Sequence, residues 1–590
     1  MVATAGLVLF WRLNQVPPAP RAVDLLPDST FFLVSCPDLQ RTSAEFEHTA
    51  ANSLWQEPQV ERFAQDLQHA VLELLGAPKG QRDRPVSLFS FLKAARGEVF
   101  LAMTEPPPRF NGIAGLDVGR NVLVTKLALA YRELRMRMWN RQAQFVTKRH
   151  LGVPYRVWTF NPRLKVHHVF LNSLLVYSLD EETLRECSAR FVGDAPKGFM
   201  SLKDNPSYRN ALYHLRPAPE IVAYLNPSPL HSHWPALSWL ARTDAIALGT
   251  TFLDNQVRDI GYAAYNTSQA TLPALTRFQS MALTSPQTTF YRVDSTDWET
   301  SYRKATDSLV KSGQPVLQSA VAHFEETLRR NGIRPVEDLF RLLGPETALV
   351  ANWREGARFP DIALVAELQN SDALRLRVDV AMTAIKDTVL GSDGPVPWDT
   401  AQFHGETLRT ARLKTTVAAP TYFTTDKLLV VTLTPDYARE LISQFKESAP
   451  TLATNPDYQQ AMKRCPPSAA AYTYCNLPTI ASPLIAHARN SLRLRPSHFV
   501  DPEKLPAAGT LARHLSPFAA VTTTGERSET TITISPLGKP VTLTLGALAA
   551  WYAARPHLKV NPIAPTTSSN KVAPPPPLGN PTVPSQTPAR

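Results

Sequence analysis

Asp28–Ala50 reads DSTFFLVSCPDLQRTSAEFEHTA, and Pro286–Ser308 reads PQTTFYRVDSTDWETSYRKATDS. Aligned on Phe31 with Phe290 and on Asp38 with Asp297, they match at an offset of 259 residues. Four further matches follow in the same order. LFSFLKAARGEVFLA from Leu88 matches LFRLLGPETALVA from Leu339, and SLLVYSLDEETLRE from Ser173 matches KLLVVTLTPDYARE from Lys427. NPSYRNAL from Asn205 matches NPDYQQAM from Asn455, and AYLNPSPL from Ala223 matches TYCNLPTI from Thr473. The offsets of these four are 251, 254, 250 and 250. Collinear matches at a nearly constant offset are the signature of a repeat. They predict two homologous halves, residues 24–280 and 281–540.

Each half reads alike. A β-rich run (Thr30 to Val34) precedes a helix opened by the acidic cap Asp38. A helix from Glu57 to Leu75 follows, with Pro58 in its first turn and Phe63, Leu67, Ala70, Val71 and Leu74 at helical spacing. Trp55, Phe63, Leu67 and Leu74 are expected to be core anchors. GEVFLA and GIAGLDV read as strands, and Asn121 to Ala143 as a long helix. VPYRVWTF alternates as a half-buried strand, HHVFL and SLLVYSL make a hairpin, and Asp180-Glu181-Glu182 opens another helix. AYL, a helix and a hairpin turning near Asp254-Asn255 close the half. Strands and helices intermix without βαβ periodicity, so the expected class is α+β, with mostly antiparallel sheet and covering helices in each half.

The composition fits a folded body. Of 590 residues, 44% are hydrophobic and 19% charged, as in globular domains. Lys plus Arg number 62 against 51 Asp plus Glu, a net charge of +11. Only 24 glycines leave little room for phosphate-binding loops, and four cysteines exclude a disulfide-built scaffold or a zinc-ribbon array.

Both ends differ from the body. Val2 to Trp11 is a ten-residue, nearly all apolar run ended by Arg12, half of what spans a bilayer. It reads as part of a longer hydrophobic segment, as a short anchor or signal, or as a buried first strand. The stiff Pro17-Pro18-Ala19-Pro20 spacer favours the first two, so residues 1–23 are expected to be an anchor remnant and spacer. At the other end, a short helix is expected over 541–555. Ten prolines in residues 556–590 predict a disordered tail, acting as a spacer or as a ligand for a proline-binding groove.

Catalytic signatures are sparse. A Gly-x-Ser-x-Gly elbow, a Walker A loop and an HExxH helix are all missing from the sequence. Gly112, Gly115 and Gly119 do not match the dinucleotide spacing. His231 and His233 form an HxH pair, with His214 upstream and His167-His168 further off. Prolines bracket the pair, and the second half has no histidine there, so surface loop histidines are the better reading. Cys36, Cys187, Cys465 and Cys475 read as small buried hydrophobes, with a Cys465–Cys475 bridge as the alternative. No catalytic, cofactor-binding or metal residue is assigned.

The distinctive charged element is KLALAYRELRMRMWNRQAQFVTKRH, from Lys126. Leu127, Tyr131, Leu134 and Met138 form one apolar stripe, while Arg132, Arg135, Arg137 and Arg141 crowd the remaining face. The ordinary identity of such a helix is a sheet cover with a solvated face. The functional alternative is contact with anionic lipid or another polyanion. Nucleic acid is not an expected partner, since no RNA-binding aromatic motif or zinc finger accompanies the basic helix.

Leu26, Pro27, Asp28 and Thr30 form an opener, and Leu54, Trp55, Pro58 and Phe63 a second element one helix later. Together they resemble the start of an uncharacterised bacterial family of membrane-anchored envelope proteins carrying a domain of unknown function. The match covers the first ~65 residues well and the remainder only in order of elements. The resemblance implies an extracytoplasmic, membrane-tethered protein and carries over no catalytic residue. The expected function is therefore non-enzymatic, with a binding or structural role toward a protein, lipid or envelope polymer. An extracytoplasmic hydrolase with a non-motif active site in one half is the alternative.

Overall fold

Among the described residues, twenty strands form one antiparallel sheet in the computed structural model of the protein. It describes residues 17–65, 94–105, 111–139, 143–161, 164–194, 198–231, 240–268, 272–311, 315–369, 371–390, 397–411, 418–494 and 501–539. The strands are β1 (Phe32–Cys36), β2 (Val99–Glu105), β3 (Asn111–Asp117), β4 (Gln144–His150), β5 (Val153–Asn161), β6 (Leu164–Leu171), β7 (Leu174–Ser178), β8 (Ile221–Leu225), β9 (Thr243–Leu253) and β10 (Gln256–Tyr265). Then come β11 (Phe290–Ser295), β12 (Leu343–Asn352), β13 (Asp361–Leu368), β14 (Trp398–Phe403), β15 (Glu406–Ala411), β16 (Thr421–Thr424), β17 (Leu428–Thr432), β18 (Ala471–Cys475), β19 (Phe518–Gly525) and β20 (Ser528–Ser535).

Followed by hydrogen bonding, the first ten strands lie in the order β4-β5-β6-β7-β3-β2-β1-β8-β9-β10. The second ten run β14-β15-β16-β17-β13-β12-β11-β18-β19-β20. Those two orders are the same, strand for strand. β10 and β20 pair antiparallel over eight residues, from Val257–Ser535 to Ala264–Ser528, and so join the two sets edge to edge. The α+β expectation holds.

The register locates equivalent positions. Leu175 faces Leu116, and Leu429 faces Ala366, at the same place in the two orders. The first pair of the sequence match needs correction. Phe32 lies between Met103 and Leu225, and Phe290 between Ala351 and Cys475, so Phe290 answers to Phe32. Phe31 answers to Thr289, their carbonyls accepting from the amides of Asn226 and Asn476. Asp38 and Asp297 do correspond, capping the amides of Arg41 and Thr300. One extra residue between strand and cap in the second set shifted the ungapped comparison, and a one-residue slip in a strand exchanges its faces.

Local chemistry explains the elements. The β6–β7 and β9–β10 turns place Asn172 and Asn255 at positive φ (54° and 57°), a conformation asparagine tolerates. Asn205 and Asn455 cap the helices Pro206–His214 and Pro456–Met462 through the amides of Tyr208 and Tyr458. Their Nδ2 groups donate to the Asp28 and Pro286 carbonyls, tying each helix to the segment before β1 and β11. Tyr208 meets Tyr224 edge-on at 5.0 Å, and Tyr458 meets Tyr474 edge-on at 5.2 Å.

Alternation along the strands makes two apolar layers per set. Leu174 and Val176 of β7 join a core with the helices Glu181–Val192 and Pro206–His214. Their neighbours Leu175 and Tyr177 join another core, under the helix Val122–Trp139. In β17, Leu428 and Val430 face the helix Pro435–Lys446, while Leu429 and Val431 face the helix Ser371–Leu390. Leu275 and Leu283 already lie in the second set's core.

Trp55 is not a core anchor: it is 54% exposed, because the helix Ala50–Trp55 buries Ala50 instead. Phe63 is half-buried. Leu67 and Leu74, like residues 1–16 of the expected anchor and all of 540–590, lie outside the described residues.

An acid stands near the start of the second strand of each set, the half-buried Glu98 just before β2 and the buried Glu346 within β12. Glu98 accepts from the Ala22 amide (2.8 Å) and the Ser35 hydroxyl (2.8 Å). Glu346 accepts from the amides of Gln279 and Ser280, each at 2.7 Å, and from the Ser280 hydroxyl. Burial pushes both carboxyls above the ordinary carboxylate value despite these bonds. A raised folded pKa means the native state holds the proton longer than the unfolded one. The resulting stability is full below the ordinary value and is lost as pH rises through the folded one. Glu346→Gln removes this linkage, so its unfolding free energy, relative to the native chain, rises between pH 4 and pH 8 (roughly the window a raised carboxyl covers). Denaturant titrations at the two pH values measure the difference.

Candidate functional site

The helix Val122–Trp139 carries the stripe and the arginines. It sits on the sheet through Val122, Thr125, Leu129 and Glu133, all buried. Glu133 fixes that orientation. Its carboxylate receives Arg156 Nε of β5 at 2.9 Å, a second bond from Arg156 Nη2, and Trp158 Nε1 at 2.7 Å. A carboxylate with three donors satisfies its buried lone pairs, which a charge in a low-dielectric layer requires.

The face turned to the sheet is therefore not the predicted stripe. Leu127 is 63% exposed, Tyr131 61%, Leu134 57% and Met138 64%, with Leu123 beside them at 54%. They form a ridge along the outer side of the helix, an unusual length of uncovered apolar surface for a helix on a sheet. Nearly every face of the helix carries apolar residues, so periodicity alone could not rank them.

The arginines do not gather into one cluster. Arg132 is half-buried, and Arg135 and Arg137 are exposed. The Arg137 guanidinium lies 5.4 Å from the Phe145 ring centroid. Lys126, which the sequence reading did not single out, lies 5.0 Å from that of Phe170. At 3.6 residues per turn, Lys126 and Arg137 share one flank of the ridge and Arg135 marks the other. Arg141 is outside the described residues.

The second set offers a comparison. Asp379, on the helix Ser371–Leu390, pairs with Arg409 of β15 and accepts from Tyr422 Oη at 2.8 Å. Arg409 faces Tyr422 across the strands as Arg156 faces His168. Counted from the two acids, Leu374, Val378, Ala381 and Ala384 stand where the first helix has Ala128, Arg132, Arg135 and Met138. The four second-set residues are buried. The first-set positions are exposed, apart from the half-buried Arg132.

Other candidates resolve into structure. His168 is buried edge-on against Trp158 at 4.7 Å, and burial lowers its pKa to about 4. His214 stacks on Tyr262 at 4.2 Å. His231 ends a short helix, and His233 lies outside the described residues. Among the described residues no three His, Cys, Asp or Glu side chains group as metal ligands. All four cysteines are free, with Cys187 buried and the others half-buried, so Cys465 and Cys475 do not pair. Gly115 lies in β3 against the Phe100 ring, which a Cβ there would strike at 2.2 Å. A small cleft beside β10 and the β19–β20 hairpin is lined by Tyr265, Asp297, Thr300, Lys304, Ser528 and Glu529. Its Asp297 is engaged as a helix cap, the Thr300 hydroxyl and amide lowering its pKa.

No described helix is long and apolar enough to cross a membrane. Comparison of the chain with protein-family models, with curated proteins and with solved structures gives no match.

Proposed function

We propose that this is a non-enzymatic, membrane-tethered protein of the cell envelope, held outside the cytoplasm, whose body consists of two homologous halves with a binding or structural role. The observation that carries the role is the exposed basic flank of the helix Val122–Trp139, with Lys126 and Arg137 over aromatic rings. Counted from the two acids, the second set has Asp372 and Thr383 at these positions, so one half alone presents this pair of cations to an anionic surface. Lys and Arg side chains near a layer of anionic headgroups each contribute about 1 kcal/mol. Arg132 and Arg135 add positive charge elsewhere on the same helix.

Support for homologous halves comes from the identical strand orders, the matched caps Asn205 and Asn455, and the matched acids Glu98 and Glu346. The tether rests on the apolar run Val2–Trp11, the proline spacer behind it and the family resemblance of the opener. Ala19 and the Pro18 carbonyl, which accepts from Asn172 Nδ2 at 3.0 Å, lead from that spacer into the first half.

Vesicle co-sedimentation of the full chain tests the reading. More protein is expected on vesicles containing phosphatidylglycerol than on phosphatidylcholine alone, the excess falling at high salt as screening requires. Lys126→Glu/Arg137→Glu abolishes the excess and leaves any binding through the tether. Equal binding to both vesicle types, or an unaffected double variant, rejects the anionic contact. Recovery of the native protein in the soluble cytosol rejects the tether.

A further inference from the structure

The cleft beside the β19–β20 hairpin has a counterpart in the first set, and there two rings occupy it. Asp38 and Asp297 cap corresponding helices, Leu39–Glu47 and Trp298–Lys311. Phe46, eight residues after the first cap, therefore answers to Ala305. Phe252 faces Val257 across the β9–β10 hairpin as Thr524 faces Glu529 across β19–β20. In the first set Phe46 meets Phe252 edge-on at 5.5 Å and joins helix to hairpin. In the second set Ala305 and Thr524 stand in their places, and a cleft of about 170 Å³ separates the two elements. Glu529 likewise takes the place of Val257, which is buried, and Lys304 that of Glu45. The second set thus has a hydroxyl and a carboxylate where the first has a phenylalanine and a valine.

The polar groups of this cleft are only partly used by the fold. Asp297 is engaged with the amide and hydroxyl of Thr300. Among the described residues Lys304 and Glu529 form no ion pair, with each other or with any third group. Glu529 receives one hydrogen bond, from Tyr265 Oη to Oε2 at 3.4 Å. Thr524 Oγ1 is buried and has no hydrogen-bond partner among the described residues, an arrangement that costs free energy until a partner arrives. A hollow with a few convergent polar groups is the ordinary form of a small-molecule site. Here an ammonium on the helix and a carboxylate on the hairpin call for a ligand that carries both charges. Its size is limited to a few heavy atoms, since a cavity of ~150 Å³ holds benzene.

We propose that the cleft binds a small free α-amino acid, its carboxylate on Lys304 and its ammonium on Glu529. The Thr524 hydroxyl, across the ladder from Glu529, is a second acceptor for the ammonium. Charge-assisted bonds at both ends give the recognition, and a molecule with one charge forfeits half of them. The site is separate from the basic flank of the helix Val122–Trp139 and does not depend on the anionic contact.

Saturation-transfer NMR on the full chain tests it, with L-alanine as the probe. Saturable binding is expected. Propionate and ethylamine, which each lack one of its charges, are expected to bind at least tenfold more weakly. Lys304→Ala and Glu529→Gln should each weaken L-alanine at least tenfold. Ala305→Phe/Thr524→Phe copies the ring pair of the first set, and is expected to unfold cooperatively and to bind no L-alanine. The two single variants decide the matter if that double variant does not fold. No saturable binding of L-alanine overturns the proposal, as does equal binding of propionate or ethylamine. Tighter binding of D-glucose than of L-alanine overturns it in favour of a sugar site. Binding that survives in the folded double variant, or in both single variants, places the ligand elsewhere and overturns it too.

Discussion

Glu133→Ala lowers the unfolding free energy by about 3 kcal/mol, the low end of what removing one partner of a buried ion pair costs. Glu133 is 8% exposed, but Arg156 is 35% exposed, so water takes up part of the stranded charge. Trp158 Nε1 loses its acceptor in the same step. Glu133→Gln keeps an acceptor there and loses less. The matched change Asp379→Ala costs only about 1 kcal/mol by the same argument, since both members of the Asp379–Arg409 pair lie about a third exposed and surface pairs contribute little. Urea unfolding of the three variants ranks them. Equal losses for Glu133→Ala and Asp379→Ala would show that the first helix is not seated through its acid.

Tyr224→Ala and Tyr474→Ala each cost about 3–5 kcal/mol, the range for truncating a large aromatic in a core. Tyr224 is 2% exposed and Tyr474 1%, and each meets a second tyrosine edge-on. They face Leu33 and Tyr291 at the same register of β1 and β11. Homologous cores predict losses of similar size, read as shifts of the unfolding midpoint. A large loss at one position with a negligible loss at the other would contradict equivalent packing.

Much of the fold was legible because local chemistry decides it. Asp38, Asp180, Asn205 and Asn455 cap helices where their side chains can reach free amides, and Asn172 and Asn255 make the tight turns that fix two hairpins. What sequence reading missed depends on partners far away in the chain. The seating of the helix Val122–Trp139 is set by Glu133 meeting Arg156 on β5, and its only sequence trace was a lone acid in a basic, apolar helix. Trp55 lies at the end of a short helix whose burial is settled by Ala50. The register of β11 turned on one extra residue before Asp297, which an ungapped comparison cannot place. The pairing of β10 with β20 joins residues some 270 positions apart, as in Val257–Ser535, and no local pattern encodes it.

That pairing makes two ten-strand sets into one sheet, and a pair of double-cysteine variants tests it most directly. Ala263 faces Glu529, and Ala264 faces Ser528. In an antiparallel ladder facing pairs alternate between hydrogen-bonded and non-hydrogen-bonded, and the latter bring Cβ atoms within disulfide reach. One of Ala263→Cys/Glu529→Cys and Ala264→Cys/Ser528→Cys is therefore expected to close an intramolecular disulfide under mild oxidation, identified by peptide mapping of the folded full chain. Failure of both variants to close it, or bridges only between chains, would contradict the continuous sheet.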